Sequence, residues 1–211
     1  MQIYDMMFDC YGPQHWWPAD ESFEVIVGAI LTQSTAWQNV EKAIASLKNA
    51  DVLNPISIDD MPIEELAALI YPSGYFNAKA KKLKAFTQRL GERYGYSLDN
   101  IFAQDTGQLR LELLSIYGIG QETADSIILY AAQKPVFVID AYTHRVMSRL
   151  ELNQGKADYI RLQNLFMDNL DSDAELFNEY HALIVCHGKN VCRKIPLCSN
   201  CCLVELCLAN Q

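Results

Sequence analysis

Apolar residues recur at helical spacing along most of the chain from Ser22 onward. Between Ser22 and Gln33 they occupy positions 23, 26, 27, 30 and 31, and this period predicts a largely buried helix. The same period predicts seven further helices, over residues 62–70, 77–93, 106–116, 121–132, 142–150, 157–170 and 174–186. The pattern indicates a chain built almost entirely from helices.

Several of the predicted helices begin with side chains that can accept hydrogen bonds from free backbone amides. The pairs with capping-box spacing are Thr35 with Gln38, Asp105 with Gln108, and Ser172 with Glu175. A strand-like pattern occurs in the run Pro135 to Ile139, which has no partner run, and a strand without a partner cannot form a sheet. The expected fold class is therefore all-α.

The composition is that of a folded, water-exposed protein. The chain has 211 residues, of which 50% are apolar and 20% charged, and this suits one compact fold or two packed lobes. No basic and apolar signal region opens the chain, and the apolar stretch Phe23 to Leu31 is too short to span a bilayer. We expect a soluble, cytoplasmic protein.

The net charge of -9 restricts how the chain could bind nucleic acid. Phosphate binding is driven by Lys and Arg contacts that release counterions, so any positive charge must be local. Two basic clusters exist, Lys79, Lys81, Lys82 and Lys84, and Lys189, Arg193 and Lys194. The alternative is that both are ordinary solvated helix faces.

Four cysteines near the C-terminus have the spacing C-x5-C-x2-C-x5-C: Cys192, Cys198, Cys201 and Cys207. Without a secretory signal, such a group indicates metal binding or free thiols rather than disulfides. Zinc and an iron-sulfur cluster both use four thiolates, although zinc ribbons usually contain two C-x2-C pairs. Cys202 could replace Cys201 as a ligand, and Cys10 and Cys186 fall outside the group.

The segment Leu113 to Leu129 has the pattern of two helices joined by the turn Gly118-Ile119-Gly120. Glycines permit positive φ angles and expose backbone amides at the start of the second helix. Such a turn can hold a DNA phosphate without a lysine. The alternative is an ordinary αα-hairpin.

Several motifs together resemble the helix-hairpin-helix DNA glycosylases of the endonuclease III superfamily. They are the hairpin, Val138-Ile139-Asp140, His144-Arg145-Val146, Ile30-Leu31-Thr32-Gln33, Gly74 to Lys79 and the cysteine tail. The resemblance implies a two-lobe fold, with a six-helix lobe at 20–132 that contains the hairpin. The second helical lobe is built from 1–19 and 133–211, carries a cluster loop at 192–207, and forms the DNA and base cleft with the first. The superfamily spacing C-x6-C-x2-C-x5-C differs by one residue and favours a [4Fe-4S] cluster over zinc, with Cys201 as a ligand.

By the same resemblance Asp140 is the catalytic carboxylate, although an Asp before Ala141 is also a natural helix N-cap, and both roles can hold at once. Glu122 stands where bifunctional members carry the lysine that forms a Schiff base with the sugar. A carboxylate cannot form an imine, so we expect a monofunctional glycosylase without significant lyase activity. The alternatives are an endonuclease III-like enzyme for oxidised pyrimidines, which Glu122 suits poorly, and a lesion-binding module without catalysis.

Trp16, Trp17 and Pro18, together with Glu122, resemble the bacterial 3-methyladenine DNA glycosylase III branch. The resemblance implies that Trp16, Trp17 and Pro18 line the base pocket, with Trp37 at a roughly corresponding position, and that the substrates are alkylated purines such as 3-methyladenine. Indole faces attract the positive charge of an alkylated base. The alternative is that these tryptophans only pack in the core.

The resemblance also implies which residues contact duplex DNA containing a damaged base. Gln33 would enter the gap left by the flipped base, and Tyr75 would wedge the opposite strand; the alternative for Gln33 is a plain surface position at a helix end. The remaining predicted DNA contacts are Gly118, Gly120, Thr123 and Lys189. We expect a monomer associated with the nucleoid.

Overall fold

Every regular element that the structure describes is helical. The computed structural model describes residues 1–152 and 158–210 and divides into two units, Ala19–Ala132 and Met1–Pro18 with Gln133–Gln211. The α-helices of the described residues are α1 Gln2–Tyr11, α2 Ser22–Leu31, α3 Trp37–Asn49, α4 Pro55–Asp60, α5 Ile63–Leu69, α6 Phe76–Tyr94, α7 Leu98–Phe102, α8 Thr106–Leu114, α9 Gln121–Ser126, α10 Ala141–Arg149, α11 Tyr159–Met167 and α12 Ala174–Asn190. The all-α prediction is confirmed for this part of the chain.

The unit Ala19–Ala132 is organised around α2. Residues 23–31 of this helix are all buried, because α3, α6 and the π-helical turn Ile127–Ala131 that continues α9 pack against it. The predicted buried helix is confirmed. Burial of apolar side chains on this scale is the main force that holds such a unit together.

Most predicted helices are present, but α1, α4 and α7 were missed, and α3 was indicated only by the capping pair Thr35 and Gln38. In helix α1 only Met7 is buried, although apolar residues recur at helical spacing at positions 3, 6, 7 and 10, so the pattern for this helix was present and was overlooked. Helices α4 and α7 span six and five residues, which is too short for a helical period to be recognised. The predicted helix at 157–170 appears as α11, and its expected first residue, Ala157, lies outside the described residues.

The capping predictions divide into one confirmed and two wrong. Asp105 Oδ1 accepts the backbone N–H of Gln108 at 3.0 Å, as the spacing predicts. Ala36, not Thr35, is the N-cap residue of α3, because the Thr35 hydroxyl is engaged elsewhere. Asp173, not Ser172, caps α12, since its carboxylate accepts from the amide of residue 176.

The other unit has an aromatic core around Phe137. Its ring stacks on Phe166 with centroids 3.8 Å apart, and its carbonyl oxygen accepts from Gln163 Nε2 at 2.8 Å. The strand-like run therefore owes its apolar character to burial between helices, and it forms no strand. Helix α12 packs against α10 and α1 in the same unit. Among the described residues, no helix has the length and hydropathy needed to cross a membrane.

Candidate active site and DNA-binding hairpin

The turn between α8 and α9 is built on two glycines with different surroundings. Gly118 has a φ of 81°, in the left-handed region, and a Cβ there would lie 2.4 Å from Cγ of Lys82. Gly120 is the N-cap residue of α9, and apart from the adjoining residues no atom lies within 4 Å of the position that a Cβ there would take. Glycine at 118 makes room for the Lys82 side chain, and glycine at 120 leaves open space at the start of α9, where backbone amides and the helix dipole favour an anion.

Gln33 is tied to this turn. Its Nε2 donates to the carbonyl oxygen of Gly118 at 3.2 Å and to Oγ1 of Thr123 at 2.9 Å, and its Oε1 accepts from Nζ of Lys82. The structure thus brings the predicted DNA contacts Gln33, Gly118 and Thr123 into one network. Lys82 is the fourth member, and it was not among the predicted site residues.

Lys79 lies beneath this network and is only 2% exposed. Its Nζ donates to the carbonyl oxygens of Leu31 at 2.8 Å and Ser73 at 2.6 Å, and to Thr35 Oγ1 at 2.8 Å. Burial, with a smaller contribution from Lys82, lowers the pKa of Lys79 to about 8. The prediction of a basic surface cluster is therefore wrong for Lys79, which is neither solvated nor able to reach DNA.

Two exposed tyrosines lie near these residues in the chain, one directly before α6 and one at the hairpin turn. Tyr75 precedes α6 with a φ of 47° and is 76% exposed. Tyr117, directly before Gly118, is 65% exposed. Aromatic side chains on the surface of a loop are suited to stacking on an unpaired base.

Asp140 occupies the N-cap position of α10. Its Oδ1 accepts from the backbone N–H of Thr143 at 2.7 Å and from the Thr143 hydroxyl at 2.8 Å, which confirms the capping interpretation. Its Oδ2 lies 3.8 Å from Nε2 of His181, and the carboxylate is 13% exposed. Capping thus uses one oxygen, and the other faces a histidine.

His181 is a buried residue of α12. Burial lowers the pKa of His181, although the charge of Asp140 opposes the shift. The imidazole is therefore neutral near pH 7, and the negative charge of Asp140 is not cancelled by it.

The predicted base-pocket residues divide between the two units. Trp16 and Trp17 are half-buried in one unit, with ring centroids 5.4 Å apart and an interplanar angle of 62°, and Pro18 beside them is exposed. Trp37 belongs to the other unit, at the start of α3, where its indole N–H donates to Glu41 Oε1 at 2.9 Å.

The four tail cysteines line one cavity of about 50 Å³. The other walls are Arg149, Val191, Pro196, Leu197, Val204 and Ala209. No three His, Cys, Asp or Glu side chains of the described residues are arranged to hold a single metal ion. Cys202 points elsewhere, since its Sγ lies 3.7 Å from the Tyr11 hydroxyl.

Two arginines of α10 hold the start of the cysteine loop. Arg145 donates to the carbonyl oxygens of Cys192 at 2.7 Å and Gly188 at 2.8 Å. Arg149 donates to Sγ of Cys192 at 3.1 Å and to the carbonyl oxygen of Arg193 at 2.7 Å. Helix α10, which Asp140 caps, is thus hydrogen-bonded to the start of the cysteine loop through these two arginines. Lys189 is exposed in the last turn of α12, in the same unit.

The sequence profile of the HhH-GPD superfamily of base excision DNA repair proteins matches residues 27–171. This range contains the hairpin and Asp140. The chain belongs to that superfamily. The expected helix-hairpin-helix glycosylase of the endonuclease III superfamily is confirmed, and the protein is a DNA glycosylase of base excision repair.

Related proteins and solved structures agree with the assignment of this glycosylase to the superfamily. It is 49% identical to a putative DNA repair glycosylase of Methanocaldococcus jannaschii, over 99% of this chain and 95% of the relative. Its structure is similar to Helicobacter pylori 3-methyladenine DNA glycosylase bound to 1,N6-ethenoadenine, with 31% identity, a TM-score of 0.75 and coverage of 89% and 93% of the two chains. A non-covalent endonuclease III–DNA complex shares the fold, with a TM-score of 0.85, 21% identity and coverage of 99% and 94%.

Sequence reasoning missed the polar residues that contact Asp140 and the tail cysteines. Thr143 and His181 flank Asp140, and Arg149 reaches a cysteine. One signal was present for the arginines, because Arg145 and Arg149 are four residues apart and so share a helix face. Nothing local in the sequence indicates that His181 faces Asp140.

Proposed function

We propose that this protein is a monofunctional glycosylase that hydrolyses the N-glycosidic bond of a flipped, damaged base in double-stranded DNA, most favourably an alkylated purine such as 3-methyladenine. The observation that carries the proposal is Glu122, an exposed residue in the first turn of α9. A carboxylate at this place cannot attack the sugar as an amine would and form an imine. The products are a free base and an abasic site in an intact strand.

Asp140 is the catalytic carboxylate in this proposal. As the glycosidic bond breaks, positive charge develops on the sugar, and a fixed anion in a poorly hydrated site stabilises that charge. Oδ1 is held by Thr143, so the carboxylate has a defined orientation, and Oδ2 can stabilise the cation or accept a proton from the attacking water. A neutral His181 preserves the charge that this chemistry uses.

Substrate preference follows from the aromatic residues. Alkylation of a ring nitrogen makes a purine cationic and a good leaving group, so the enzyme needs an aromatic slot more than an acid catalyst. Trp16 and Trp17 have adjacent rings, and indole faces attract cations. The 31% identical Helicobacter pylori 3-methyladenine DNA glycosylase supports this substrate class. Pro18 and Trp37 complete the proposed pocket set.

The DNA contacts proposed are Gln33, Tyr75, Gly118, Gly120, Thr123 and Lys189. Gln33, Gly118 and Thr123 share one hydrogen-bond network, and Tyr75 is exposed directly before α6. The endonuclease III structure of the same fold was determined with DNA, which supports duplex DNA as the partner. A monomer suits this mode of binding.

The proposed cofactor is a [4Fe-4S] cluster held by Cys192, Cys198, Cys201 and Cys207. The donor set fits, because four thiols and no carboxylate or imidazole line the cavity, and thiolates are the usual ligands of such clusters. The bound cluster would supply a covalent link between distant parts of the loop, and Arg149 would offset the negative charge of the Cys192 thiolate.

Base release from methylated duplex DNA tests the proposal. The wild-type protein should release 3-methyladenine and leave the strand intact until alkali is added, and Asp140→Asn should release about a hundredfold less or worse. Borohydride should trap no protein on the DNA, whereas a lysine-containing endonuclease III serves as the positive control. Release of oxidised pyrimidines with strand cleavage would favour an endonuclease III-like activity. Binding to lesions without release of any base would favour a non-catalytic module.

A further inference from the structure

The hairpin has no cation of its own. Residues 113–129 contain no Lys or Arg, and they include the exposed Glu122. The other carboxylate of this segment, Asp125, is buried and accepts two hydrogen bonds from Arg110, at 2.7 and 3.1 Å. A phosphate that approached the turn would thus meet backbone amides and a negative side chain, so a nearby positive charge would strengthen binding.

Lys82 brings such a charge to the turn. Its Cγ, Cδ and Cε lie 2.4, 2.6 and 2.8 Å from the position that a Cβ of Gly118 would take, so the stem of the lysine runs directly over the glycine. Its Nζ donates to Oε1 of Gln33, whose Nε2 donates in turn to Gly118 and Thr123. This places the ammonium group within the network of the hairpin while leaving the residue only half-buried.

The orientation of Gln33 is determined by this arrangement. If its amide were reversed, the NH2 group would face the ammonium of Lys82 and the oxygen would face the carbonyl of Gly118, and both contacts would be repulsive. Gln33 therefore acts as a bridge that holds the lysine against the turn. A side chain held in this way loses less conformational entropy on binding a ligand than a free lysine does.

The neighbouring lysines of α6 are less suited to this task. Lys79 is 2% exposed and uses its three N–H groups on protein acceptors. Lys84 donates to the carbonyl oxygen of Asp59. Lys81 is exposed to solvent and has none of the contacts with the turn that Lys82 makes.

We propose that Lys82 is the phosphate-binding cation of the hairpin, and that Gln33 positions it there. The ligand is a backbone phosphate of duplex DNA, which the turn amides and the Lys82 ammonium bind together. This inference rests on the proposed function, since it concerns the same DNA-binding site. It assigns to Gln33 a role in the free protein that is separate from entering the duplex.

The salt dependence of DNA binding tests the proposal, with Lys81→Met as the matched control. Lys82→Met keeps an unbranched side chain over Gly118 but removes the charge. Lys81→Met removes the same charge one position earlier, where the side chain has no contact with the turn. Affinity for a duplex containing a tetrahydrofuran abasic-site analogue is measured between 50 mM and 200 mM salt. For Lys82→Met we expect the slope of log affinity against log salt to shrink by about 1 and affinity at low salt to fall roughly tenfold. Lys81→Met should change both much less, and Lys82→Arg should restore most of the slope.

Thermal unfolding of each variant without DNA separates binding from folding, and Lys82→Met and Lys81→Met should melt within a few degrees of the wild type. An unchanged slope for Lys82→Met, or an equal loss in both methionine variants, would overturn the assignment of Lys82. If the wild-type protein binds the duplex but releases no base, the proposed activity fails while the slope still decides the role of Lys82. If the wild-type protein binds no duplex at all, both proposals fail.

Discussion

At the residue scale, Asp140 shows how one side chain can serve structure and chemistry together. Its Oδ1 caps α10 through Thr143, and its Oδ2 faces a buried, neutral His181. Because the cap holds the carboxylate in place, it also pre-organises the charge that the proposed reaction needs. Loss of activity and loss of stability should therefore be separable by the choice of substitution.

We predict that Asp140→Asn keeps nearly the full free energy of unfolding, because asparagine is as good an N-cap as aspartate, whereas Asp140→Ala loses about 1 kcal/mol. Both variants should lose base release. Urea unfolding followed by circular dichroism measures the stability, and release of 3-methyladenine measures the activity. Equal destabilisation by both substitutions would show that the charge, and not the cap, matters for folding.

At the element scale, Lys79 joins three segments that are separate in sequence. Its ammonium group bonds the end of α2, the loop before α3 and the turn before α6. Gln33 and Tyr75 lie in two of these loops, so the spacing of the proposed DNA contacts depends on a cation that never reaches DNA. Hydrogen bonds from a buried ammonium group to backbone carbonyl oxygens stabilise loops whose own sequences contain no helical pattern.

We predict that Lys79→Met lowers the free energy of unfolding by about 3 kcal/mol, because it leaves buried carbonyl oxygens without donors, while Lys81→Met has little effect. The pH dependence gives a second measurement. The pKa of Lys79 is about 8 in the folded protein and about 10.4 in an unfolded chain. Between these values the unfolded state binds more protons, so wild-type stability should rise with pH relative to Lys79→Met. A constant difference between the two proteins from pH 7 to 10 would contradict this.

At the scale of the whole molecule, an acidic chain carries a DNA-repair fold. A net charge of -9 opposes the approach of DNA, so the proposed binding relies on local groups, namely the hairpin amides, Lys82 and the exposed Lys189. The tail also has a long-range role within its unit. Through Arg145 and Arg149, the cysteine loop is bonded to the helix that begins at Asp140.

We predict that protein purified without oxygen absorbs broadly near 400 nm and contains about four irons. Cys201→Ser should lose the absorbance and iron and melt at a lower temperature, whereas Cys202→Ser should keep them, because Cys201 lines the cavity and Cys202 contacts Tyr11. A colourless protein with one zinc ion, or iron loss only in Cys202→Ser, would contradict the proposed ligand set.

The sequence by itself determined the properties that depend on neighbours along the chain. The helical period identified α2, the spacing of Asp105 and Gln108 predicted the cap of α8, and the two glycines marked the hairpin. Each of these features is set by contacts within about one helical turn.

Tertiary structure alone decided the features that depend on distant partners. Lys79 was expected in a basic surface cluster and is buried, because the carbonyl of Leu31 lies 48 residues earlier in the chain. The contacts of Gln33 with Gly118 and Thr123 span 85 and 90 residues. Such pairings follow from how helices pack, which no local pattern records.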